Sequence, residues 1–126
     1  MAKPPKEKLL TGVELELMTC LWQLGEGTVH DVLGALPAAR PLAYTSVSTV
    51  LRILVGKGVL VVRKEGRGHV YVPRVSKAEY EATSLRHIVQ RVFDGAPDAL
   101  VRRLLETEKL TEPKLAAIRA LLRKRR

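Results

Sequence analysis

Few of the residues that build disulfides, metal centres or membrane anchors occur in this sequence. Cys20 is the single cysteine among 126 residues, which excludes a disulfide within the chain and any metal site made of several cysteines. Because Cys20 lies among apolar residues of a predicted helix, we expect a buried, inert thiol. The basic start of the chain is not followed by a long apolar run, so neither a secretory signal nor a membrane-spanning helix is predicted. We therefore expect a cytoplasmic protein without membrane insertion.

Sequence patterns typical of enzymes are missing as well. The histidines His30, His69 and His87 lie far apart and form no His-x-x-His or Glu-x-x-His spacing. The sequence also contains no glycine-rich phosphate loop and no nucleophile elbow. We therefore predict no catalytic residue, no metal site and no cofactor, and we do not expect an enzyme.

Acidic residues are outnumbered by basic ones. The chain holds 13 Asp and Glu and 22 Lys and Arg, for a net charge of +9. Residues 1–75 carry four of these excess charges and residues 76–126 carry five, so the excess is spread over both halves. Such a balance favours polyanions, either nucleic acid or acidic membrane surfaces, and does not choose between them.

The apolar content of 46% is sufficient for folding, but a chain of this length buries only a modest core. We predict a flexible basic tail in residues 1–8, a first domain in residues 9–75 and a helical region in residues 76–126.

The first domain is predicted to contain three helices followed by a two-stranded hairpin. Its helices are expected to begin at hydroxyl caps, namely Thr11 in a capping box with Glu14, Thr28, and Thr45. The strands are predicted at about 59–63 and 69–73, and Gly66 and Gly68 can supply the positive φ of the turn.

The third predicted helix carries two faces of different chemistry. Its apolar residues are spaced to point inward: Val47, Val50, Leu51 and Leu54. The opposite face holds the candidate recognition residues Thr45, Ser46, Ser48, Thr49 and Arg52. Short side chains let a helix approach base edges in the major groove, where hydroxyls form hydrogen bonds and Arg52 can reach a guanine or a phosphate. Taken alone, this face could equally be solvated surface.

The hairpin that follows is basic. Arg63, Lys64 and Arg67 flank its glycine turn and are expected to contact DNA phosphates. Tyr44 could hold a phosphate through its hydroxyl or pack its ring against the core. His69 is expected to be a half-exposed polar residue rather than a phosphate ligand. Helix and hairpin together predict double-stranded DNA as a partner.

Three amphipathic helices without a sheet are predicted in residues 76–126. The first begins at the capping box of Ser76 and Glu79, and the others follow Pro97 and Thr111. About fifty residues provide little core of their own. We therefore expect a homodimer rather than a monomeric helical cap. The residues assigned to its interface are Leu85, Ile88, Val92, Leu100, Leu104, Leu115, Ile118 and Leu122.

This order of elements resembles the penicillinase repressor family of bacterial regulators, the BlaI, MecI and CopY group. The matching blocks are Leu10-Thr11 with Glu14-Leu15-Glu16 and Leu21-Trp22, Ala43 to Leu51 with Leu54 and Lys57-Gly58, Arg63 to Arg67 with Tyr71 and Pro73, and Val92 to Gly95 with Ala99-Leu100-Val101. The resemblance implies a mainly α fold with a small β-wing, in which a winged helix-turn-helix domain precedes a helical dimerisation arm. It also implies a dimeric transcriptional repressor of a palindromic operator.

Two departures from the family concern the inducing signal. Some members are inactivated by cleavage at an Asn-Phe bond in the arm, where this chain has Arg103-Leu104. The copper-responsive branch carries a C-terminal cysteine cluster, whereas this chain ends in Arg123-Lys124-Arg125-Arg126. The signal, and any upstream sensor or protease, therefore stay open.

The alternative function is a protein-interaction adaptor that uses the winged helix as a docking surface. DNA affinity and its salt dependence distinguish such an adaptor from a DNA-binding regulator.

Overall fold

The computed structural model describes residues 9–125, and that range contains six helices and one two-stranded hairpin. The elements in chain order are α1 (Gly12–Leu24), α2 (Val29–Ala35), α3 (Tyr44–Gly56), β1 (Leu60–Glu65), β2 (Gly68–Pro73), α4 (Lys77–Arg91), α5 (Pro97–Thr107) and α6 (Glu112–Lys124). Backbone contacts group the chain into two units that divide between Arg86 and His87, within α4. The predicted flexible tail, residues 1–8, lies outside the described residues, as does Arg126.

Helix starts follow the side-chain caps at three predicted places. In α1, the Thr11 N–H donates to Glu14 Oε1 at 2.9 Å and the Glu14 N–H donates to Thr11 Oγ1 at 3.3 Å. The same reciprocal pattern joins Thr28 to Asp31 before α2, and Ser76 to Glu79 before α4. The predicted starts of these three helices are confirmed. Each pair stabilises its helix start because it satisfies two backbone N–H donors that a helix end otherwise leaves without a partner.

The predicted cap of α3 is wrong. Ala43, not Thr45, is the N-cap, and no side chain bonds to the helix end. The Val47 N–H already donates to the Ala43 carbonyl at 3.0 Å, so a start at Thr45 would sacrifice that bond and shorten the helix. Tyr44 and Thr45 therefore belong to the first turn of α3.

The core of the first unit is formed where α1, α2 and α3 meet the start of β1. Its wholly buried side chains are Leu17, Met18, Leu21, Val32, Val47, Leu51, Leu54, Val59 and Leu60. Val50, which we expected to point inward, is half-buried and packs against this core. Cys20 is buried as predicted, and burial raises the pKa of its thiol, so the residue behaves as a small apolar group.

The hairpin is antiparallel and slightly longer than predicted, with Leu60 opposite Pro73 and Glu65 opposite Gly68. Gly66 has φ +60° in the two-residue turn, as expected, whereas Gly68 does not adopt positive φ. A further bridge joins Gly27 and Tyr71 through bonds of 2.8 and 3.1 Å. It attaches the hairpin to the segment between α1 and α2.

An ion pair with a buried carboxylate connects the start of α1 to the end of α3. Glu14 is 5% exposed, and its Oε2 accepts a hydrogen bond from Lys57 Nζ at 2.6 Å. Burial raises the pKa of Glu14, but the hydrogen bonds from Lys57 and Thr11 outweigh it, so the pKa is lowered overall. The carboxylate therefore stays charged in the folded protein near neutral pH.

The helical region differs from the first unit in its burial. No residue of α4, α5 or α6 is buried in the single chain. No helix within residues 9–125 combines the length and apolar character needed to cross a membrane.

Candidate nucleic-acid interface

One face of α3 is polar and open to solvent. Burial of Val47, Leu51 and Leu54 fixes the rotation of the helix, so the residues between them point outward. Of the five candidate recognition residues, four are exposed and Ser48 is half-buried. The candidates thus share one accessible surface of small hydroxyl side chains and one arginine.

The hairpin presents two exposed cations, Lys64 near the end of β1 and Arg67 in the turn. Lys64 and Arg67 are exposed, and neither forms an ion pair with another residue of the described range. Gly66 gives the turn its positive φ and adds no side chain there. Both cations are therefore available to an external anion.

Arg63 differs from its neighbours because it already has carboxylate partners. Its guanidinium donates to both oxygens of Glu26, at 2.7 and 3.2 Å, and to Glu65 Oε2 at 3.0 and 3.3 Å. These bonds raise the pKa of Arg63, and the hydrogen bond from Arg63 lowers the pKa of Glu26. The predicted phosphate contact of Arg63 would therefore require exchange of a carboxylate for a phosphate.

A cleft of about 240 Å³ lies between α2, α3 and the hairpin. Tyr44 and Ser48 line it from α3, Arg67 and His69 from the hairpin turn and β2, and His30 from α2. The rings of His30 and Tyr44 are in contact, with centroids 4.9 Å apart. Residues that were predicted separately on helix and wing thus border one concave site.

Tyr44 and Tyr71 have different environments. Tyr71 is buried and packs into the core cluster, whereas Tyr44 is 48% exposed at the start of α3. Tyr44 is therefore the tyrosine whose hydroxyl is accessible to DNA.

His30 was not among the predicted site residues, because a lone histidine on a short helix gives no signal until the fold places it against Tyr44.

The eight residues assigned to a dimer interface are all accessible in the single chain. Leu85, Val92, Leu104 and Leu122 are exposed. The other four, Ile88, Leu100, Leu115 and Ile118, are half-buried.

Within the described part of the chain, no three His, Cys, Asp or Glu side chains group closely enough to hold a metal ion.

Comparison with known proteins decides the family. The sequence model of the penicillinase repressor family matches residues 10–124, nearly the whole described range. The chain belongs to the penicillinase repressor family. Among its relatives in that family, the transcriptional regulator BlaI of Mycobacterium tuberculosis is 35% identical over 117 residues, covering 79% of this chain and 85% of that protein. The penicillinase repressor of Bacillus licheniformis is 26% identical over 102 residues, covering 81% and 80%.

A solved structure supports the same fold for the first unit of this family member. The DNA-binding domain of the repressor BlaI, determined in solution, superposes with a TM-score of 0.52 at 30% identity. The superposition covers 64% of this chain and 94% of that domain. The predicted mainly α fold with a winged helix-turn-helix is thereby confirmed.

Proposed function

We propose that this member of the penicillinase repressor family is a DNA-binding transcriptional repressor that acts as a homodimer on a palindromic operator. The observation that carries the proposal is the shared surface of α3 and the hairpin. A helix face of hydroxyls and Arg52 lies beside a turn whose Lys64 and Arg67 lack protein anions within the described residues. The relatives supply the role, since they are transcriptional regulators.

The face of α3 is suited to reading bases in the major groove. Ser46 and Thr49 are exposed and short, so the helix backbone can approach the base edges closely. Hydroxyls discriminate weakly between bases, whereas Arg52 can bind the O6 and N7 atoms of a guanine. Specificity would therefore be shared among several modest contacts, with Arg52 the strongest single reader.

The hairpin would position the domain on the backbone. Lys64 and Arg67 supply charge without sequence information, because phosphates are the same along any duplex. Each phosphate neutralised adds about 0.9 to the slope of log affinity against log salt. Arg63 would serve chiefly to hold the hairpin against Glu26.

A second copy of the chain would cover the helical region. Leu122 on α6 is 68% exposed, and Val92, directly after α4, is 65% exposed, and neither helix has a buried side chain. Large apolar side chains that are exposed in this way typically mark an interface, and a two-fold dimer is the commonest soluble assembly. Two copies of α3 would then meet half-sites about one helical turn, roughly 34 Å, or a multiple of it apart.

A DNA-binding repressor of a bacterial gene would act in the cytoplasm, and the proposed role requires no catalysis.

Purified full-length protein should be titrated, by fluorescence anisotropy, against the DNA upstream of its own gene and against a scrambled duplex. Repressor function predicts about 10³-fold or greater preference for the upstream DNA. With six to ten phosphate contacts, affinity should fall by about 10³ to 10⁵ between about 50 and 200 mM salt.

A matched pair of variants tests whether α3 reads the sequence. Arg52→Ala should weaken binding to the upstream DNA more than to the scrambled duplex. Arg74→Ala removes the same charge from an exposed residue outside α3 and the hairpin, and it should leave the preference intact. Equal losses on both duplexes for Arg52→Ala would restrict Arg52 to phosphate contact, and failure of the protein to bind either duplex would refute DNA binding.

A further inference from the structure

We propose that the cleft between α2, α3 and the hairpin binds a DNA backbone phosphate, and that His30 and His69 are ligands of that phosphate together with Arg67. Binding to DNA of any sequence would then strengthen as the pH falls through the range in which histidine becomes charged. The inference rests on the proposed DNA-binding function and assigns to it two residues and a pH response.

The donors that border the cleft suit a phosphate. Arg67 brings a permanent charge and several N–H donors, and Ser48 and Tyr44 bring hydroxyls from α3. His30 and His69 approach from α2 and from β2, so side chains that carry nitrogen donors line the cleft from more than one element. None of the residues that line the cleft is a carboxylate.

Both imidazoles are free to take up this role. His30 is exposed, its ring contacts the ring of Tyr44 at 4.9 Å, and it makes no hydrogen bond to another residue of the described range. His69 is also exposed and, within the same range, without a hydrogen-bonded partner. The contact with Tyr44 limits the positions of the His30 ring without using its nitrogen atoms.

Asp31 is a nearby carboxylate that interacts electrostatically with His30, and the Thr28 hydrogen bonds influence the pKa of Asp31 more strongly than His30 does. Asp31 follows His30 on α2, but its carboxylate accepts the Thr28 N–H at 2.9 Å, and this bond lowers the pKa of Asp31. Glu65, near the hairpin turn, is bound to Arg63. Lys64 is directly opposite His69 in the β register and adds positive charge. The surroundings therefore favour an external anion over an internal one.

The direction of the pH response follows from the charge of histidine. A typical imidazole is mostly neutral at about pH 8 and mostly charged at about pH 6. Protonation places one additional positive charge beside the phosphate at each histidine, while the phosphodiester itself does not change charge in this range. Affinity should thus increase on acidification, and DNA binding should be accompanied by proton uptake.

The test uses the full chain and a random-sequence duplex of about 30 base pairs, labelled with a pH-insensitive rhodamine. Affinities are measured by anisotropy at about pH 8 and about pH 6, at constant ionic strength. We expect the unmodified protein to bind about tenfold more tightly at the lower pH, or about threefold per histidine. His30→Gln and His69→Gln should each remove about threefold of this gain, and the double variant should lose nearly all of it.

The third histidine provides the matched control. His87 lies on α4, outside the cleft, so His87→Gln should retain the full pH response. Far-UV circular dichroism at both pH values verifies that each variant is folded. Calorimetry in two buffers of different ionisation enthalpy should show fewer protons taken up by the double variant.

The failures of the two proposals are distinguishable. If the unmodified protein binds the duplex with steep salt dependence but without a pH response, or if the double variant retains the response, the phosphate role of the histidines is overturned and DNA binding stands. If the protein binds neither this duplex nor the upstream DNA at either pH, both proposals fall.

Discussion

Lys57→Met removes the cation from the ion pair that connects α1 to α3, and it leaves Glu14 nearly enclosed. Loss of one partner of a fully buried pair costs about 3–5 kcal/mol because the remaining charge is left unpaired. The Lys57 side chain is 34% exposed, and Glu14 keeps its hydrogen bonds to Thr11, so a smaller loss follows. We expect a decrease in the free energy of unfolding of about 2 kcal/mol at neutral pH.

The pH dependence distinguishes this cause from simple loss of packing. In the unmodified protein the pKa of Glu14 is lowered from its ordinary value near 4.5, so its contribution is present above that pH and is lost as the pH falls through the folded-state pKa. Without Lys57, two of the causes that lower the pKa of Glu14 are lost, so its pKa should rise. The variant should then lose less stability on acidification than the unmodified protein, and the stability difference should shrink as the pH falls through the folded-state pKa values of Glu14.

Urea denaturation followed by circular dichroism, from about pH 7 to about pH 4, measures both quantities. Arg40→Met is the matched control, because Arg40 binds Glu16 through two hydrogen bonds but both side chains are more than a third exposed. That exposed pair should be worth less than about 1 kcal/mol at neutral pH. Equal losses in the two variants, or a difference for Lys57→Met that grows on acidification, would refute the reasoning.

Three further predictions concern DNA binding and assembly. Arg67→Ala should lower the slope of log affinity against log salt by about 0.9. Arg63→Ala should lower the slope less, because Glu26 and Glu65 already bind that guanidinium. A larger decrease for Arg63→Ala than for Arg67→Ala would assign the phosphate contact to Arg63. Leu104→Asp should yield monomers in analytical ultracentrifugation, whereas Arg102→Asp on the same helix should leave the dimer intact. A Leu104→Asp variant that remains a dimer would exclude α5 from the interface. Arg52→Ala, compared on operator and random duplexes, should reduce the ratio of the two affinities by about tenfold, and an unchanged ratio would contradict base reading.

Much of the first unit was predictable because its signals are local. Thr11 with Glu14 and Ser76 with Glu79 are capping boxes that depend on residues three apart, and the structure forms both. The buried side of α3 follows from helical spacing of its valines and leucines. The start of α3 was missed because Ala43 offers no side-chain cap, and a threonine two residues later gave a false signal.

The parts that the sequence did not reveal depend on residues that are distant in the chain. Arg63 and Glu26 are 37 positions apart, so their bidentate pair has no local pattern. The bridge between Gly27 and Tyr71, and the contact of His30 with Tyr44, likewise appear only once the chain is folded. Composition predicted an affinity for polyanions, but the fold was needed to separate the free cations Lys64 and Arg67 from the engaged Arg63.

DNase I footprinting of the DNA upstream of the gene tests most directly whether this protein is a dimeric, sequence-reading repressor. We expect protection of two symmetry-related half-sites whose centres are about one helical turn, or a whole multiple of it, apart. Arg52→Ala should abolish that protection at protein concentrations where the unmodified chain protects fully. Uniform protection without half-sites, or no protection at concentrations that saturate random DNA, would contradict a sequence-specific repressor.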